Sequence, residues 1–222
     1  MMRKQRARRS LILAAATFVA MVVAGCASTA TAPRNNYVDR FTRAMVTLLP
    51  MGELFDRFIA KDPEWPVKGK MDKVTPEQLA CLRRELSSDG YTHTRRLEVE
   101  AYVKAHPSQL KDEIELLESG AAEAYGKMIK AGFDAKLSGA SADSNSILKS
   151  MQSEQLLSFM KFSTDINYSD LRKLAGIGEA LADVDDTKKS QHNAGQRVGK
   201  SLASKYIFQA TATCKVPPAA YM

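Results

Sequence analysis

The sequence predicts an all-α protein, a bundle of about six to eight helices. Apolar residues recur at intervals of three and four along most of the chain. The segments with this pattern are separated by proline and glycine turns, and several begin with residues that cap helices well. Sustained alternation of β-branched residues between turn dipeptides is missing, so the sequence offers no obvious source of a sheet.

The first 25 residues have the pattern of an export signal. Five basic residues lie within the first nine positions, an apolar run follows from Leu11 to Val23, and small residues precede Cys26. The apolar stretch ending at Ala24 has fourteen residues, whereas a helix needs about twenty to cross a bilayer. We therefore expect residues 1–25 to be a removable signal peptide and not a membrane-spanning anchor.

The end of this segment, Val23-Ala24-Gly25-Cys26, resembles the lipobox of bacterial lipoproteins. The resemblance implies cleavage before Cys26 and acylation of its sulfur and its new amino group. Several acyl chains together make membrane binding effectively permanent, whereas one chain binds only marginally. Ala27 stands where inner-membrane retention signals of enteric bacteria carry Asp. The resemblance therefore implies an outer-membrane anchor facing the periplasm, with the inner membrane as the alternative.

Residues 26–36 are rich in Ala, Thr and Asn and are expected to form a flexible tether. A single helical domain is predicted for residues 37–213. Its first helix begins near Tyr37 and is interrupted by Pro50, after which the apolar pattern resumes. The two prolines of residues 62–66 exclude regular structure there, because proline lacks an amide donor.

The next helix is predicted to start at Thr75, which can cap it, while Gln78 can complete a capping box. Asp89-Gly90 is expected to end that helix, because this dipeptide favours a turn. Another helix should then extend from about residue 92 to 105, where His106-Pro107 stops it.

The strongest helical pattern follows, and Ser108 is expected to cap it. Its apolar positions alternate steps of four and three residues: Leu110, Ile114, Leu117, Ala121, Ala124, Met128 and Ala131. Such a pattern keeps one face against a neighbouring helix. We favour packing within the bundle over an intermolecular coiled coil. Residues 138–146, rich in Ser, Gly, Ala and Asp, are predicted to form a loop.

The second half of the domain repeats features of the first at a shift of 77 residues. This shift pairs Glu77-Gln78-Leu79 with Glu154-Gln155-Leu156, Tyr91 with Tyr168, and Arg95-Arg96-Leu97 with Arg172-Lys173-Leu174. It indicates two copies of a three-helix unit, at 75–136 and 152–213. The alternative is chance similarity between amphipathic helices. The last helix is expected at about 187–211, and residues 214–222 are expected to form a C-terminal tail.

Two cysteines remain in the mature chain, Cys81 early in the domain and Cys214 near its end. An exported protein enters an oxidising compartment, where disulfides form and persist. We therefore favour a Cys81–Cys214 bond, which would close a long loop and restrict the unfolded chain. The alternative is a buried thiol at Cys81 and a free thiol in a mobile tail.

Most of the positive charge belongs to the signal peptide. The whole chain has a net charge of +7, but residues 1–25 contain five basic and no acidic residues. The mature part therefore has 27 basic and 25 acidic residues, a net charge of +2. Because a nucleic-acid partner requires a basic face on the domain, we expect none.

The mature sequence contains no motif that indicates catalysis. The histidines lack the spacing of metal ligands: His93, His106 and His192. Serines are abundant, but none lies in a nucleophile motif. Several carboxylates are expected on a solvated helix face: Asp112, Glu113, Glu115 and Glu118. We therefore expect a protein without catalytic activity, metal or cofactor.

One polar pattern occurs twice, a tyrosine followed by a basic pair four and five residues later. It comprises Tyr91 with Arg95 and Arg96, and Tyr168 with Arg172 and Lys173. These residues are candidates for two equivalent binding patches. The structural alternative is that each tyrosine packs on the stem of a basic side chain and exposes its hydroxyl.

A further resemblance concerns the order of features in the second half. Glu154-Gln155-Leu156, the phenylalanines Phe159 and Phe162, and a helix starting near Tyr168 resemble uncharacterised all-helical domains of small proteobacterial periplasmic proteins. Those domains carry a Ser-Pro-x-Gly turn where this chain has residues 163–166, Ser-Thr-Asp-Ile. The resemblance implies an all-helical periplasmic domain and does not imply a specific function.

The expected function is binding of another protein by a lipid-anchored domain without catalysis. One specific version is an immunity protein that neutralises a toxic effector in the periplasm. The alternative is a structural or assembly lipoprotein of an envelope or secretion complex. An enzyme acting on peptidoglycan or lipid is a third alternative, and a groove for an apolar ligand remains compatible with a bundle that is rich in methionine.

Overall fold

The computed structural model of the chain describes residues 32–139, 144–178 and 188–220. The predicted signal peptide and Cys26 lie outside these ranges. Within them all regular structure is helical, which confirms the predicted all-α fold class. The helical core lies within residues 36–222, which form one compact unit.

The helices alternate with short turns along the whole described chain. The α-helices are α1 (Ala32–Leu48), α2 (Met51–Lys61), α3 (Pro76–Leu86), α4 (Ser88–Ala105), α5 (Leu110–Leu116), α6 (Ala122–Ser138), α7 (Ser144–Lys149), α8 (Ser153–Thr164), α9 (Ser169–Ala175) and α10 (Lys188–Thr213). A π-helical turn, Leu117–Ala121, connects α5 to α6. Short 3-10 turns occupy Met71–Lys73, Ile166–Tyr168 and Pro218–Ala220.

The first two helices form much of the core. Pro50 separates them as predicted, because it precedes α2 and cannot continue the hydrogen-bond ladder of α1. Their apolar faces are buried together, at Phe41, Met45, Leu48, Leu49, Leu54 and Phe55. The start of α1 was predicted too late. The helix already begins at Ala32, so the last five residues of the predicted tether are helical.

The boundary between α3 and α4 differs from the prediction. The capping box at the start of α3 is confirmed, since Thr75 and Gln78 exchange side-chain and backbone hydrogen bonds. However, α3 ends at Leu86, and Ser87 caps α4 by accepting a hydrogen bond from the amide of Gly90. Asp89-Gly90 therefore lies in the first turn of α4 and does not end a helix. A good capping serine outweighs the turn preference of this dipeptide.

The long third helix is not continuous. Gly120 has a φ of 121°, a conformation that L side chains rarely adopt, and it interrupts the regular ladder within the π-helical turn. A Cβ at this position would lie 2.6 Å from Cγ of Gln155 on α8. The predicted seam is buried from Leu110 to Ala124 and half-buried at Met128 and Ala131. Ser108 does not cap this helix, because α5 begins after Gln109.

The predicted loop 138–146 is helical at both of its ends. Ser138 is the last residue of α6, and Gly139 follows it in the left-handed conformation with a φ of 72°. A short helix, α7, begins at Ser144, so the prediction is wrong for Ser138 and for residues 144–146, while residues 140–143 lie outside the described residues. The C-terminal tail also differs from a free tail, since Cys214, Val216 and Ala220 are buried.

The first helix of each predicted repeat packs against the long helix of the other repeat. α3 contacts α10, and α8 contacts the π-helical turn and α6. Cys81 and Ser158, which correspond at the shift of 77 residues, both take part. Ser158 lies 2.7 Å from Ser119, oxygen to oxygen, and Cys81 is bonded to the residue directly after α10. The two contacts lie at opposite ends of the long helices, since Cys214 follows the end of α10 and Ser119 precedes the start of α6. That the two halves superpose stays a prediction.

A disulfide bond joins Cys81 to Cys214, with their Cα atoms 5.7 Å apart. The bond lies between α3 and the end of α10, and it spans 133 residues of sequence. The chain order alone did not decide between a bond and two free thiols. The tertiary structure brings the two residues together because α3 packs along α10.

Replacing both cysteines, as Cys81→Ser with Cys214→Ser, should lower the free energy of unfolding by up to about 5 kcal/mol, because the unfolded chain regains the entropy of a long loop. Denaturant titration under non-reducing conditions measures this difference. A reductant should shift the wild-type titration to the same midpoint and leave the double variant unchanged. Two free thiols in the exported protein, detected by mass spectrometry, would contradict the bond.

Candidate functional site

The first predicted binding patch is part of the core. Arg95 is completely buried and Tyr91 is 2% exposed. The hydroxyl of Tyr91 donates a hydrogen bond to the carbonyl of Leu49 (2.6 Å), and Nε of Arg95 donates to the same hydroxyl (3.0 Å). The prediction of an accessible patch is therefore wrong for these two residues, and so is the expectation of an exposed hydroxyl. Tyr91 and Arg95 are four residues apart and so lie on the same face of α4, and this face is buried in the core.

The Arg95 guanidinium contacts several elements at once. Its Nη1 donates to Oε2 of Glu98 (2.8 Å) and to the carbonyl of Leu174 in α9 (3.1 Å). Its central carbon lies 5.5 Å from the ring of Tyr206 in α10. Burial alone would lower the pKa of Arg95, but Tyr91, Tyr206 and Glu98 outweigh this effect and raise it. The side chain is therefore a permanent buried cation that links α4, α9 and α10.

The second predicted patch is also structural. Tyr168 and Arg172 are buried, and Nη1 of Arg172 donates to the carbonyls of Phe162 (2.7 Å) and Asp165 (2.8 Å). These carbonyls lie at the end of α8, where a cation satisfies acceptors that the helix leaves open. The prediction of a binding patch is wrong here, because Arg172 is buried and uses its donors on backbone carbonyls of the preceding helix.

Of the remaining two basic residues of the pattern, Arg96 is half-buried and Lys173 is exposed, and both form ion pairs. Arg96 contacts Asp39 of α1 (2.6 Å) and Glu100 (3.2 Å). Lys173 contacts Asp170 one turn earlier (2.9 Å). The spacing thus places the first basic residue of each pair inside and the second outside. The structure does not join the two predicted patches into one surface.

A cleft of about 420 Å³ lies between α1, α2, α4 and α6. We call it the α2–α6 cleft. Residues that are otherwise buried form its floor: Pro50, Gly52, Tyr91 and Gly126. More exposed residues surround them: Val46, Thr47, Glu53, Ser88, Glu123, Lys127 and Lys130. Its volume is within the range of about 300–1,000 Å³ that is typical of binding sites for small molecules.

Two glycines allow the helices around the cleft to approach closely. A Cβ on Gly52 would lie 2.7 Å from Cα of Ser88, where α2 crosses the start of α4. A Cβ on Gly126 would collide with the carbonyl oxygen of Thr47, where α6 crosses α1. Gly52 and Gly126 both line the cleft, so the cleft lies beside these two close helix contacts.

Ion pairs surround the mouth of the cleft. Lys130 of α6 contacts Glu53 of α2 (2.5 Å), and Lys127 contacts Glu123 (2.6 Å). One turn further along both helices, Arg57 contacts Asp134 (2.6 Å). The four charges at the mouth thus balance each other around an uncharged floor. This combination resembles the centre and rim of a protein interface more than a site for one strongly charged ligand.

Ser88 at the edge of the cleft has a structural partner. Its hydroxyl donates to Oδ2 of Asp56 (2.5 Å), and its amide donates to the same oxygen (3.2 Å). Asp56 therefore brings a negative charge to the first turn of α4, where the helix dipole favours it. The serine is held as part of this cap and not as a nucleophile beside a general base.

A separate buried cluster surrounds Glu113. This residue is 1% exposed, and Tyr102 donates its hydroxyl hydrogen to Oε1 (2.5 Å). Its Oε2 has no hydrogen-bond partner among the described residues. The ring of His106 stacks on that of Tyr102, and its Nε2 lies 3.8 Å from Oδ2 of Asp170. The expectation that Glu113 lies on a solvated face is wrong, because the helix turns this position toward α4.

The environment of Glu113 favours its protonated form. Burial raises the pKa of Glu113 above its ordinary value of 4.5, and Asp170 and Asp112 raise it further. The hydrogen bond from Tyr102 and the charge of His106 oppose this effect and do not reverse it. Burial also raises the pKa of the Tyr102 hydroxyl. Glu113 is therefore a buried carboxyl group, whereas His106 and Asp170 at the edge of the cluster are partly exposed.

The remaining points concern the predicted lipidation site, membrane-spanning helices and metal sites. Cys26, the predicted lipidation site, lies outside the described residues. Across residues 32–139, 144–178 and 188–220, no helix is both long and apolar enough to cross a membrane. The same ranges contain no group of three or more His, Cys, Asp or Glu side chains that is arranged to hold a metal ion.

Sequence reasoning missed the α2–α6 cleft and the Glu113 cluster. The glycines at 52 and 126 were the available signal for the cleft, since glycine inside a helix costs stability and often marks a close approach. Glu113 directly precedes Ile114, a residue of the predicted buried seam. The helix α5 has only seven residues, and its pattern does not show which residue beside the seam is buried as well. Helical spacing predicts one buried stripe but not its width.

The adjacent arginines of α4 allow a matched test of buried and exposed cations. Arg95→Met should lower the free energy of unfolding by about 3 kcal/mol or more, because it leaves buried polar partners without their cation. Arg96→Met should lower it by about 1 kcal/mol or less, because exposed ion pairs contribute little. Denaturant titration measures both. Equal losses in the two variants would contradict the structural role of Arg95.

Glu113 should make the stability depend on pH. Its folded pKa exceeds its unfolded value, so the stabilisation is complete below the unfolded pKa and is lost as pH rises through the folded pKa. Each unit of difference amounts to about 1.4 kcal/mol. Glu113→Gln, which cannot ionise, should flatten the decline in unfolding free energy that the wild type shows as pH rises above the ordinary glutamate pKa of 4.5. Glu115→Gln on the exposed side of α5 is the control, and an unchanged decline in Glu113→Gln would exclude this cause.

Comparison with known proteins adds no family to these observations. No protein-family model matches the chain. No curated protein and no solved structure matches it significantly. A function must therefore be argued from the cleft, the charges and the sequence signals of this chain alone.

Proposed function

We propose that this chain is a lipid-anchored, periplasm-facing module that binds another protein and has no catalytic role. The anchor follows from the lipobox at Cys26. The observation that supports protein binding is the α2–α6 cleft, with its uncharged floor and its rim of paired charges.

The chemistry of the cleft suits one bulky apolar side chain of a partner protein. Pro50, Gly52, Gly126 and the ring of Tyr91 offer an apolar floor. Residues in the partner that flank the inserted side chain can exchange into the ion pairs of Glu53 with Lys130 and of Glu123 with Lys127. Affinity in protein interfaces is concentrated in such central pockets, and the rim excludes water.

An immunity protein against a periplasmic effector is the specific version that we favour. A small inhibitor needs only a rigid surface held in the correct compartment, and the buried cation and the disulfide provide rigidity. A structural or assembly lipoprotein of an envelope complex is the alternative. The two versions differ in the partner, which is a soluble secreted effector in the first and a stable membrane complex in the second.

Filling the cleft should remove partner binding. Thr47 lies in the cleft and is exposed, so Thr47→Trp should place an indole over the floor without disturbing the core. We expect at least a roughly tenfold loss of captured partner, equivalent to about 1.4 kcal/mol of binding free energy. Quantitative affinity purification of the acylated protein from its own envelope measures this loss.

The control variant is Lys104→Trp, at an exposed position of α4 outside the cleft. It should retain the partner in full. Capture of a soluble secreted protein would support the inhibitor, and a stoichiometric envelope complex would support the scaffold. Equal capture by both variants would overturn the cleft as the binding site, and an enzymatic activity lost on replacing a single acidic residue would overturn the proposal of a non-catalytic module.

A further inference from the structure

One side of α8 exposes apolar side chains to solvent. Leu157 is 70% exposed, Met160 is 52% exposed, and Ile166 in the turn directly after the helix is 75% exposed. On a helix with 3.6 residues per turn, Leu156, Met160 and Leu157 lie within an arc of about 100° that excludes the buried Ser158. We call the four apolar residues the α8 face: Leu156, Leu157, Met160 and Ile166.

Neighbouring exposed apolar residues differ from single ones, which are common on protein surfaces. A group of them indicates contact with a protein or a membrane. The α8 face also has a basic neighbour, since Lys161 is exposed and its Nζ lies 5.5 Å from the ring centre of Tyr168. A long cationic side chain beside apolar residues suits the boundary between acyl chains and headgroups.

The start of the helical domain lies close to α8. Arg40, in the third turn of α1, contacts Glu118 in the π-helical turn at 2.5 Å. The next residue, Ser119, is hydrogen-bonded to Ser158 of α8 at 2.7 Å. Glu118 therefore contacts the beginning of the domain, and the adjacent Ser119 contacts α8. The chain enters the domain beside α8.

The length of the tether limits how far α8 can be from the membrane. Nine residues, 27–35, separate Cys26 from the first residue of the helical unit, Asn36. Even a fully extended chain of this length spans only about 35 Å. An acylated Cys26 therefore keeps the entry point of the domain within about 35 Å of the lipid surface, and α8 lies beside that entry point.

We propose that the α8 face docks on the bilayer that holds the acylated Cys26. In this position α8 lies in the plane of the interface, its apolar residues enter the region below the headgroups, and the ammonium of Lys161 meets lipid phosphates. At twelve residues the helix is too short to span the membrane and long enough for an interfacial contact. The proposal rests on the lipid anchoring proposed above.

Tryptophan fluorescence tests this orientation in the acylated full-length mature protein. The chain has one tryptophan, so a second indole can be followed against the parent protein. Leu157→Trp places it on the α8 face, and Phe208→Trp places it at an exposed position of α10 as the control. Both proteins are reconstituted into vesicles of phosphatidylethanolamine and phosphatidylglycerol, with and without bromine on the acyl chains.

We expect the indole from Leu157→Trp to shift to shorter wavelength in vesicles and to be quenched by the brominated lipids. The indole from Phe208→Trp should show neither change. If both stay unquenched while mass spectrometry finds Cys26 acylated, docking of α8 is overturned and the anchor stands. If Cys26 is not acylated, the anchor fails and docking fails with it.

A protein partner on the same face would give a different result. In that case the indole from Leu157→Trp would remain unquenched with lipid alone and would shift only after addition of envelope proteins. This outcome would also overturn docking on the bilayer. Circular dichroism of each variant confirms that the substitution at the surface leaves the helical fold intact.

Discussion

The buried guanidinium of Arg95 is the interaction on which the arrangement of the helices depends. It holds Tyr91 in place, and the hydroxyl of Tyr91 in turn reaches the carbonyl of Leu49 between α1 and α2. It also reaches the backbone of Leu174 in α9 and the ring of Tyr206 in α10. A cation without solvent requires all of these partners together, because a lost partner leaves a buried charge uncompensated.

A second constraint crosses between the two halves of the domain. The first helix of each half packs on the long helix of the other, through Cys81 with Cys214 and through Ser158 with Ser119. The two halves are therefore joined both by a covalent bond and by a hydrogen bond. The turn at Gly120 makes one of these contacts fit, since any side chain there would meet Gln155.

These constraints leave two surfaces with different properties. The α2–α6 cleft has an uncharged floor and balanced charges at its mouth, which suits a partner protein. The α8 face is apolar and lies beside the point where the chain enters the domain. With the face on the bilayer and the cleft formed by other helices, the module we propose would bind its partner while its anchor and α8 share the membrane. Rigidity of the bundle would then fix the position of the cleft relative to the lipid.

The sequence by itself determined the helical class, the break at Pro50 and the capping box at Thr75. It also determined which apolar residues share one face of a helix, because all of these depend on local spacing and on backbone chemistry. It also contains Val23-Ala24-Gly25-Cys26, whose resemblance to a lipobox depends on local sequence and not on the fold. Only the tertiary structure decided that the two tyrosines and the first arginine after each of them lie inside, that Glu113 is buried, and that a cleft lies beside two close glycine contacts. Such features depend on which helices meet, and contacts between residues far apart in sequence leave no periodic signal in the chain.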